Sequence, residues 1–130
     1  MGKELILEKS ITVMLSEPTP EVSIEDVRRK YSIIEGEKDL AEIYAVVENK
    51  AWWYADEIYD YEEGSIEYER AICIMNEWFE FAKEIKNDIF RILRSEGVEI
   101  PDTGQITVLR PFMFRNGYYD GDGWWIAKTE

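Results

Sequence analysis

Residues 65–97, SIEYERAICIMNEWFEFAKEIKNDIFRILRSEG, decide the fold of this chain of 130 residues. Apolar residues recur in them in alternating steps of four and three, the spacing that lines one face of an α-helix. Ser65 is a preferred residue for the start of a helix, and Gly97 is a preferred residue just past its end. The segment therefore predicts one helix of about 30 residues, roughly 45 Å long. Its predicted buried face comprises Ala71, Met75, Trp78, Ala82, Ile85, Ile89 and Ile92.

A second helical pattern precedes this one, from about Asp39 to Tyr61. Its apolar residues also step by threes and fours, and Gly64 and Ser65 interrupt the pattern. Two long amphipathic helices joined by a tight turn are typical of an antiparallel hairpin. We therefore expect a long antiparallel helical hairpin. The apolar stripe of this second helix consists of Leu40, Ile43, Val47, Ala51, Tyr54, Ile58 and Tyr61.

A shorter helix is predicted ahead of the hairpin. Ser23 is a preferred N-cap residue, and Asp26 supplies an acid at the third helical position. Gly36 suits the end of this helix. Its apolar residues at helical spacing are Ile24, Val27, Tyr31 and Ile34.

Strand patterns occur near both ends of the chain. Residues 4–16 are apolar and β-branched, which predicts one strand or two short ones, ended by Pro18 and Pro20. Toward the other end, Pro101–Gly104 is typical of a turn. The remaining C-terminal predictions are a strand at 106–109, a single helical turn at 111–116 closed by Gly117, a turn at 120–123 and a terminal strand at 124–127.

Length and composition favour one folded domain spanning residues 1–130. The chain is 45% hydrophobic and 14% aromatic, whereas disordered acidic proteins are poor in aromatic residues. We expect an α+β fold, mostly α, in which the hairpin and the short N-terminal helix pack on a small sheet from the N- and C-terminal strands. No apolar run approaches the roughly 20 residues that span a bilayer, and the start lacks a signal-peptide pattern. We therefore expect a cytoplasmic protein without membrane contact.

The absence of one residue type and of one sequence motif excludes most catalytic chemistries. The chain has no histidine, so a His-based triad, a His-bearing metal site and a Cys–His pair are impossible. It also lacks a glycine-rich phosphate loop. The single cysteine, Cys73, lies between isoleucines and is predicted to be buried and inert. We predict no catalytic residue, no metal site and no cofactor.

Negative charge is concentrated in residues 51–69, which we call the acidic segment. The chain carries a net charge of −13, and this segment contains seven carboxylates and no Lys or Arg. A net charge of this sign argues against direct binding of nucleic acid or anionic membranes and favours a basic partner. The carboxylates are Asp56, Glu57, Asp60, Glu62, Glu63, Glu67 and Glu69, and the aromatic residues are Trp52, Trp53, Tyr54, Tyr59, Tyr61 and Tyr68.

The acidic segment is therefore the candidate site. It is interpreted either as a contact surface, with a tryptophan as anchor and carboxylates that imitate phosphates, or as a solvated helix turn whose aromatic residues pack inward. Uncompensated repulsion among the acids favours the contact surface, because such repulsion costs stability. The predicted partner-binding residues are Trp52, Trp53, Asp56, Glu57, Asp60, Glu62, Glu63 and Glu67.

Two alternatives remain open on the same helices. Glu77 and Glu80 are three residues apart, as are Glu57 and Asp60. This spacing resembles the magnesium-binding acids of the all-α nucleoside-triphosphate pyrophosphatases, which would imply a magnesium-dependent nucleotide hydrolase. Acid pairs of this kind also arise by chance in acidic helical proteins. Alternatively, the apolar stripe of residues 71–92 pairs between chains in a helical assembly protein, so that a monomer and a homodimer are both possible.

The tail Arg115–Ile126, with its glycines and aromatic residues, resembles the C-terminal tails of small proteins encoded by bacteriophages and prophages. This resemblance implies a protein of a mobile element, and small acidic proteins of that kind inhibit host defence by occupying nucleic-acid-binding grooves. The functional hypothesis is a non-enzymatic acidic binding protein. It blocks a basic surface of a protein partner, such as a host nuclease, as a nucleic-acid mimic.

Overall fold

The structure is a computed structural model that describes residues 23–119 and 125–128. These residues are mostly helical, with one small antiparallel sheet. The predicted N-terminal strand at 4–16 and the predicted turn at 120–123 lie outside the described residues. The elements are α1 (Ile24–Ser32), α2 (Glu37–Glu57), a 3₁₀ turn (Ile58–Asp60), α3 (Ile66–Ser95), α4 (Ile106–Asn116), β1 (Gly117–Tyr119) and β2 (Trp125–Ala127).

Helix α3 confirms the prediction made from residues 65–97. The Ser65 hydroxyl accepts a hydrogen bond from the backbone N–H of Tyr68 at 3.1 Å, which caps the first turn. Gly97 adopts a φ of 88°, the left-handed conformation that glycine supplies after a helix. Trp78 is 3% exposed, as predicted. The stripe is buried at Ala71, Trp78, Ala82, Ile85 and Ile89 and half-buried at Met75 and Ile92.

Helix α2 forms where the second pattern predicted it, with different ends. It begins after Gly36, whose carbonyl accepts from the N–H of Leu40 at 3.1 Å. The prediction that Gly36 ends α1 is therefore wrong. Helix α1 ends at Ser32, because the N–H groups of Ile33 and Ile34 bond to carbonyls only three residues back and the chain then turns into α2. The Ser23 cap of α1 is confirmed by its hydrogen bond from the N–H of Asp26.

The core lies between α2 and α3. The rings of Tyr54 and Trp78 stack with centroids 6.4 Å apart, and Leu40 and Ile92 line one groove farther along the same pair of helices. Helix α1 packs against α3 through Tyr31, whose ring meets Phe81 edge-on and whose hydroxyl donates to a carboxylate oxygen of Asp88. Burial of these apolar faces is the main favourable contribution to folding.

Residues 106–109 are helical, so the predicted strand there is wrong. They form the first turns of α4, which continues through Pro111 to Asn116. The buried residues Leu109, Phe112 and Met113 are spaced by three and four, which is the helical period. A proline in the sixth position removes one backbone donor but leaves the first turns intact. The prediction of a helical turn at 111–116 closed by Gly117 is confirmed, but this turn is the second half of a helix that begins five residues before Pro111.

The small sheet is built from the C-terminal residues. The predicted terminal strand is confirmed as β2, which pairs antiparallel with β1 in a register that places Gly117 opposite Ala127. The sequence did not predict β1, because a three-residue strand carries too little alternation to be recognised. Within residues 23–119 and 125–128, no helix is both long and apolar enough to cross a membrane.

Candidate functional site

The acidic segment comprises the last two turns of α2, the 3₁₀ turn, the connection to α3 and the first turn of α3. Six of its seven carboxylates are exposed. Glu57 is half-buried, and its Oε1 accepts a hydrogen bond from the Tyr61 hydroxyl at 3.0 Å. The segment thus presents its charge to solvent. The exposed acids are Asp56, Asp60, Glu62, Glu63, Glu67 and Glu69.

None of the seven carboxylates forms an ion pair, whereas other acids of the described chain do. Arg28 pairs with Glu84 at 3.0 Å, and Arg91 pairs with Asp88 at 2.6 Å. Arginine and lysine are absent from the acidic segment itself, although Lys50 and Arg70 flank it in the chain. The described ion pairs therefore lie elsewhere in the fold.

The two adjacent tryptophans have different environments. Trp52 is 58% exposed and contacts Phe79 edge-on, with ring centroids 5.3 Å apart. Trp53 is half-buried against the ring of Tyr54, and the Lys50 Nζ lies 5.8 Å from its ring centroid. Of the two, Trp52 is therefore the one accessible as an anchor.

The remaining aromatic residues of the segment are divided between the core and the surface. Tyr54 is buried on Trp78, which agrees with the inward-packing interpretation for that ring. Tyr59 is 84% exposed, more than any other large apolar side chain in the described residues. Ile66, at the start of α3, is 74% exposed. The exposed surface of the segment thus carries Trp52, Tyr59 and Ile66 among its acids.

The carboxylates of the acidic segment affect the pKa of two of its tyrosines. The hydrogen bond to Glu57 is the largest cause of a raised pKa of Tyr61, and the charges of Glu57, Asp60 and Glu67 raise it further. Burial raises the pKa of Tyr54, and the Glu57 charge adds to that effect. Both shifts have the sign expected where forming a phenolate would add negative charge to an already negative region.

The acid pairs considered for magnesium do not form a larger cluster. Glu77 and Glu80 are exposed on α3, and Glu57 is engaged by Tyr61. Across the described ranges, no three acidic or cysteine side chains come close enough to hold a metal ion. The magnesium hydrolase stays an alternative prediction.

Cys73 is exposed, so the prediction that its thiol is buried is wrong. It lies on α3 five residues from the buried Trp78, which is more than one helical turn and places it on the opposite face. The neighbouring Ile72 and Ile74 are half-buried at the two margins of the stripe. A residue flanked by two isoleucines in a helix can therefore still face solvent.

Arg115 is the principal charged residue that sequence reasoning missed. Its guanidinium pairs with Glu37 at 2.7 Å and with Glu96 at 2.8 Å, joining α4 to the start of α2 and the end of α3. Asn116, which is buried, donates to Glu37 Oε2 at 2.8 Å. The partners are 78 residues apart in the chain, so no local pattern signals the contact.

The acidic segment offers hydrogen-bond acceptors, negative charge and exposed rings, which together can bind cations. Comparison of the chain with protein-family models, with curated proteins and with solved structures finds no match.

Proposed function

We propose that this chain is a non-enzymatic acidic binding protein that blocks a basic, nucleic-acid-binding surface of a protein partner. In this proposal the exposed carboxylates take the place of nucleic-acid phosphates, and Trp52 anchors the contact. In this proposal the protein is a cytoplasmic inhibitor. This role agrees with the resemblance of residues 115–126 to the C-terminal tails of small phage-encoded proteins. The contact residues are Trp52, Trp53, Asp56, Glu57, Asp60, Glu62, Glu63 and Glu67.

One observation carries this proposal: six of the seven carboxylates of the acidic segment are exposed, and none of the seven forms an ion pair within the described residues, while several acids elsewhere, such as Glu84 and Asp88, are paired with arginines. Like charges held together reduce the stability of the free protein. The same charges strengthen association with a basic surface and accelerate diffusional encounter at low ionic strength. These acids lower the stability of the free protein but strengthen its binding to a basic partner, which supports a binding role.

The proposal includes an antiparallel arrangement of α2 and α3, with the acidic segment at the tip of the hairpin. Two contacts support it. Tyr54, late in α2, stacks on Trp78 in the first half of α3, and Leu40, early in α2, shares a groove with Ile92 near the end of α3. A tip is the part of such a hairpin that can enter a groove, as a nucleic-acid duplex would.

Competition with DNA for a basic protein tests the function. Labelled duplex DNA is bound to histones, whose DNA-binding surface is arginine-rich, and the protein is added as competitor at low ionic strength. We expect the parent protein to displace DNA. The variant Asp56→Asn, Asp60→Asn, Glu63→Gln should compete less well, because three of the unpaired charges are removed.

A matched control removes three exposed acids elsewhere: Glu77→Gln, Glu80→Gln, Glu99→Gln. Its net charge equals that of the first variant, so a general charge effect would weaken both equally. The proposal requires the first variant to lose more than the control. Equal competition by both variants, or no competition by the parent, would contradict it.

A further inference from the structure

Two arginines of this protein are bound in the same way, by a carboxylate and an aromatic ring together. The Arg28 guanidinium lies 4.2 Å from the ring centroid of Phe81 and pairs with Glu84 at 3.0 Å. The Arg115 guanidinium lies 5.1 Å from the ring centroid of Phe112 and pairs with Glu37. A planar guanidinium suits both contacts, since it stacks on a ring and donates in its own plane to a carboxylate.

The Arg28 site also shows which spacing between a ring and a carboxylate forms a binding site for a guanidinium. Its ring and its carboxylate, Phe81 and Glu84, are three residues apart on α3. Side chains three or four apart in a helix are surface neighbours, so one guanidinium can reach both.

The same spacing recurs in the acidic segment, where no cation of the described chain fills it. Asp56 is four residues after Trp52 and three before Tyr59, a spacing that puts the three residues on one face of α2 and the turn that follows. All three side chains are exposed. The structure provides no ion pair for Asp56 and no cation over either ring among residues 23–119 and 125–128.

We infer that the face formed by Trp52, Asp56 and Tyr59 is a docking surface for an arginine-bearing segment of a partner protein. This inference rests on the proposed function and narrows it from any basic surface to one whose arginines contact this face. A lysine ammonium would gain the charge attraction as well, but it cannot stack as a plane or donate through a rigid fork. The surrounding acids supply the charge complementarity for further basic residues of the same segment.

The test compares oligoarginine and oligolysine peptides of equal length, titrated separately against the protein at low ionic strength. The measured quantity is the ratio of the two dissociation constants, which cancels the shared charge attraction. We expect the parent to prefer oligoarginine. Tyr59→Leu and Trp52→Leu should each reduce the preference by at most about fivefold, because a lysine also contacts a ring and only the advantage of the guanidinium is lost.

Three further variants separate the effect of the ring from the effect of the charge. Tyr59→Phe keeps the ring and should keep the preference for arginine. Asp56→Asn should lower the preference, whereas Glu63→Gln removes the same charge outside this face and should weaken both peptides equally. Melting temperatures verify that each variant is folded. Tyr59 is 84% exposed, so its variants report on binding even where a Trp52 variant loses stability.

Equal affinity of the parent for both peptides would overturn the inference, and so would a preference for arginine that survives both leucine substitutions. In either case the proposed function stands if the peptides bind and the exposed acids are required. If neither peptide binds the parent, the proposed function fails together with the inference.

Discussion

The indole ring of Trp125 fills the space into which a β-carbon on residue 117 would project. Trp125 is 2% exposed, and its ring is held there by the antiparallel pairing of β2 with β1. The carbonyl oxygen of Ile126 lies 2.5 Å from the same position. Gly117 has an extended backbone, so the glycine is required by space and not by its φ angle.

The substitution Gly117→Ala should therefore destabilise the protein by about 3 kcal/mol, the upper part of the usual range for overpacking. Both the ring and a backbone oxygen would have to move. Urea unfolding monitored by tryptophan fluorescence measures the effect. Gly36→Ala is the control, because no atom lies within 4 Å of its β-carbon position. A free energy of unfolding for Gly117→Ala equal to that of Gly36→Ala would show that the sheet can shift without cost.

Substitutions of two tryptophans test where the hydrophobic core lies. Trp78→Ala removes a ring that is 3% exposed and should lower the free energy of unfolding by about 3–5 kcal/mol. Trp52→Ala removes a ring that is 58% exposed and should cost only about 1 kcal/mol, mainly its edge-on contact with Phe79. Thermal and urea unfolding of both variants provide the comparison. Similar losses for the two would be incompatible with the packing of α2 on α3.

The contact between Glu37 and Arg115 predicts a dependence of stability on pH. Hydrogen bonds from Arg115, chiefly, and from Asn116 lower the pKa of Glu37 below its ordinary value near 4.5, although burial opposes the shift. A carboxyl group whose pKa is lower in the folded state stabilises the fold above its unfolded pKa. That contribution disappears as the pH falls through the folded pKa.

Glu37→Gln should therefore cost about 1 kcal/mol at neutral pH, an amount reduced by partial exposure, and less at about pH 3. Urea unfolding at the two pH values measures the difference. Glu99→Gln, which alters an exposed acid with no described ion pair, provides the control. An equal loss for Glu37→Gln at both pH values would indicate a packing effect instead of a charge effect.

Repulsion within the acidic segment predicts that its neutralisation does not harm the fold. Asp56→Asn, Asp60→Asn and Glu63→Gln together should leave the free energy of unfolding unchanged or raise it by about 0.5 kcal/mol, since Asp56 and Asp60 are like charges four residues apart. Added salt should raise the melting temperature of the parent more than that of the variant, because it screens what the variant lacks. Early melting of the variant would mean that these acids stabilise the fold.

The pKa of Tyr61 reports on the negative charge of the acidic segment around it. Glu57→Gln weakens the hydrogen bond that is the largest cause of the raised pKa of Tyr61 and removes the Glu57 charge, so this pKa should fall toward 10.0. NMR titration of the tyrosine ring carbons resolves this residue from the other seven tyrosines. Glu77→Gln, an exposed acid on α3, should leave the titration unchanged. A Tyr61 titration unaffected by Glu57→Gln would contradict the effect of the Glu57 charge on this tyrosine.

Local patterns were sufficient for the two long helices, α2 and α3, and for the concentration of charge in the acidic segment. The four–three repeat around Trp78 predicted α3 and its buried face, because a helix buries one face at a fixed period. The seven acids of residues 51–69 were equally visible, since charge is a property of composition. Patterns failed where neighbours in space determine the outcome, as at Pro111, which lies inside a helix, and at Cys73, which faces solvent.

The sequence alone thus determined that the chain forms two long amphipathic helices and that its charge is concentrated in one segment, because periodicity and charge depend only on the order of residues. Tertiary structure alone decided that Trp52, not Trp53, is exposed and that Arg115 joins Glu37 to Glu96. Adjacent residues of a helix point about 100° apart, and only the position of Phe79 and Tyr54 determines which ring is covered. Contacts between distant residues depend on packing that no local pattern encodes.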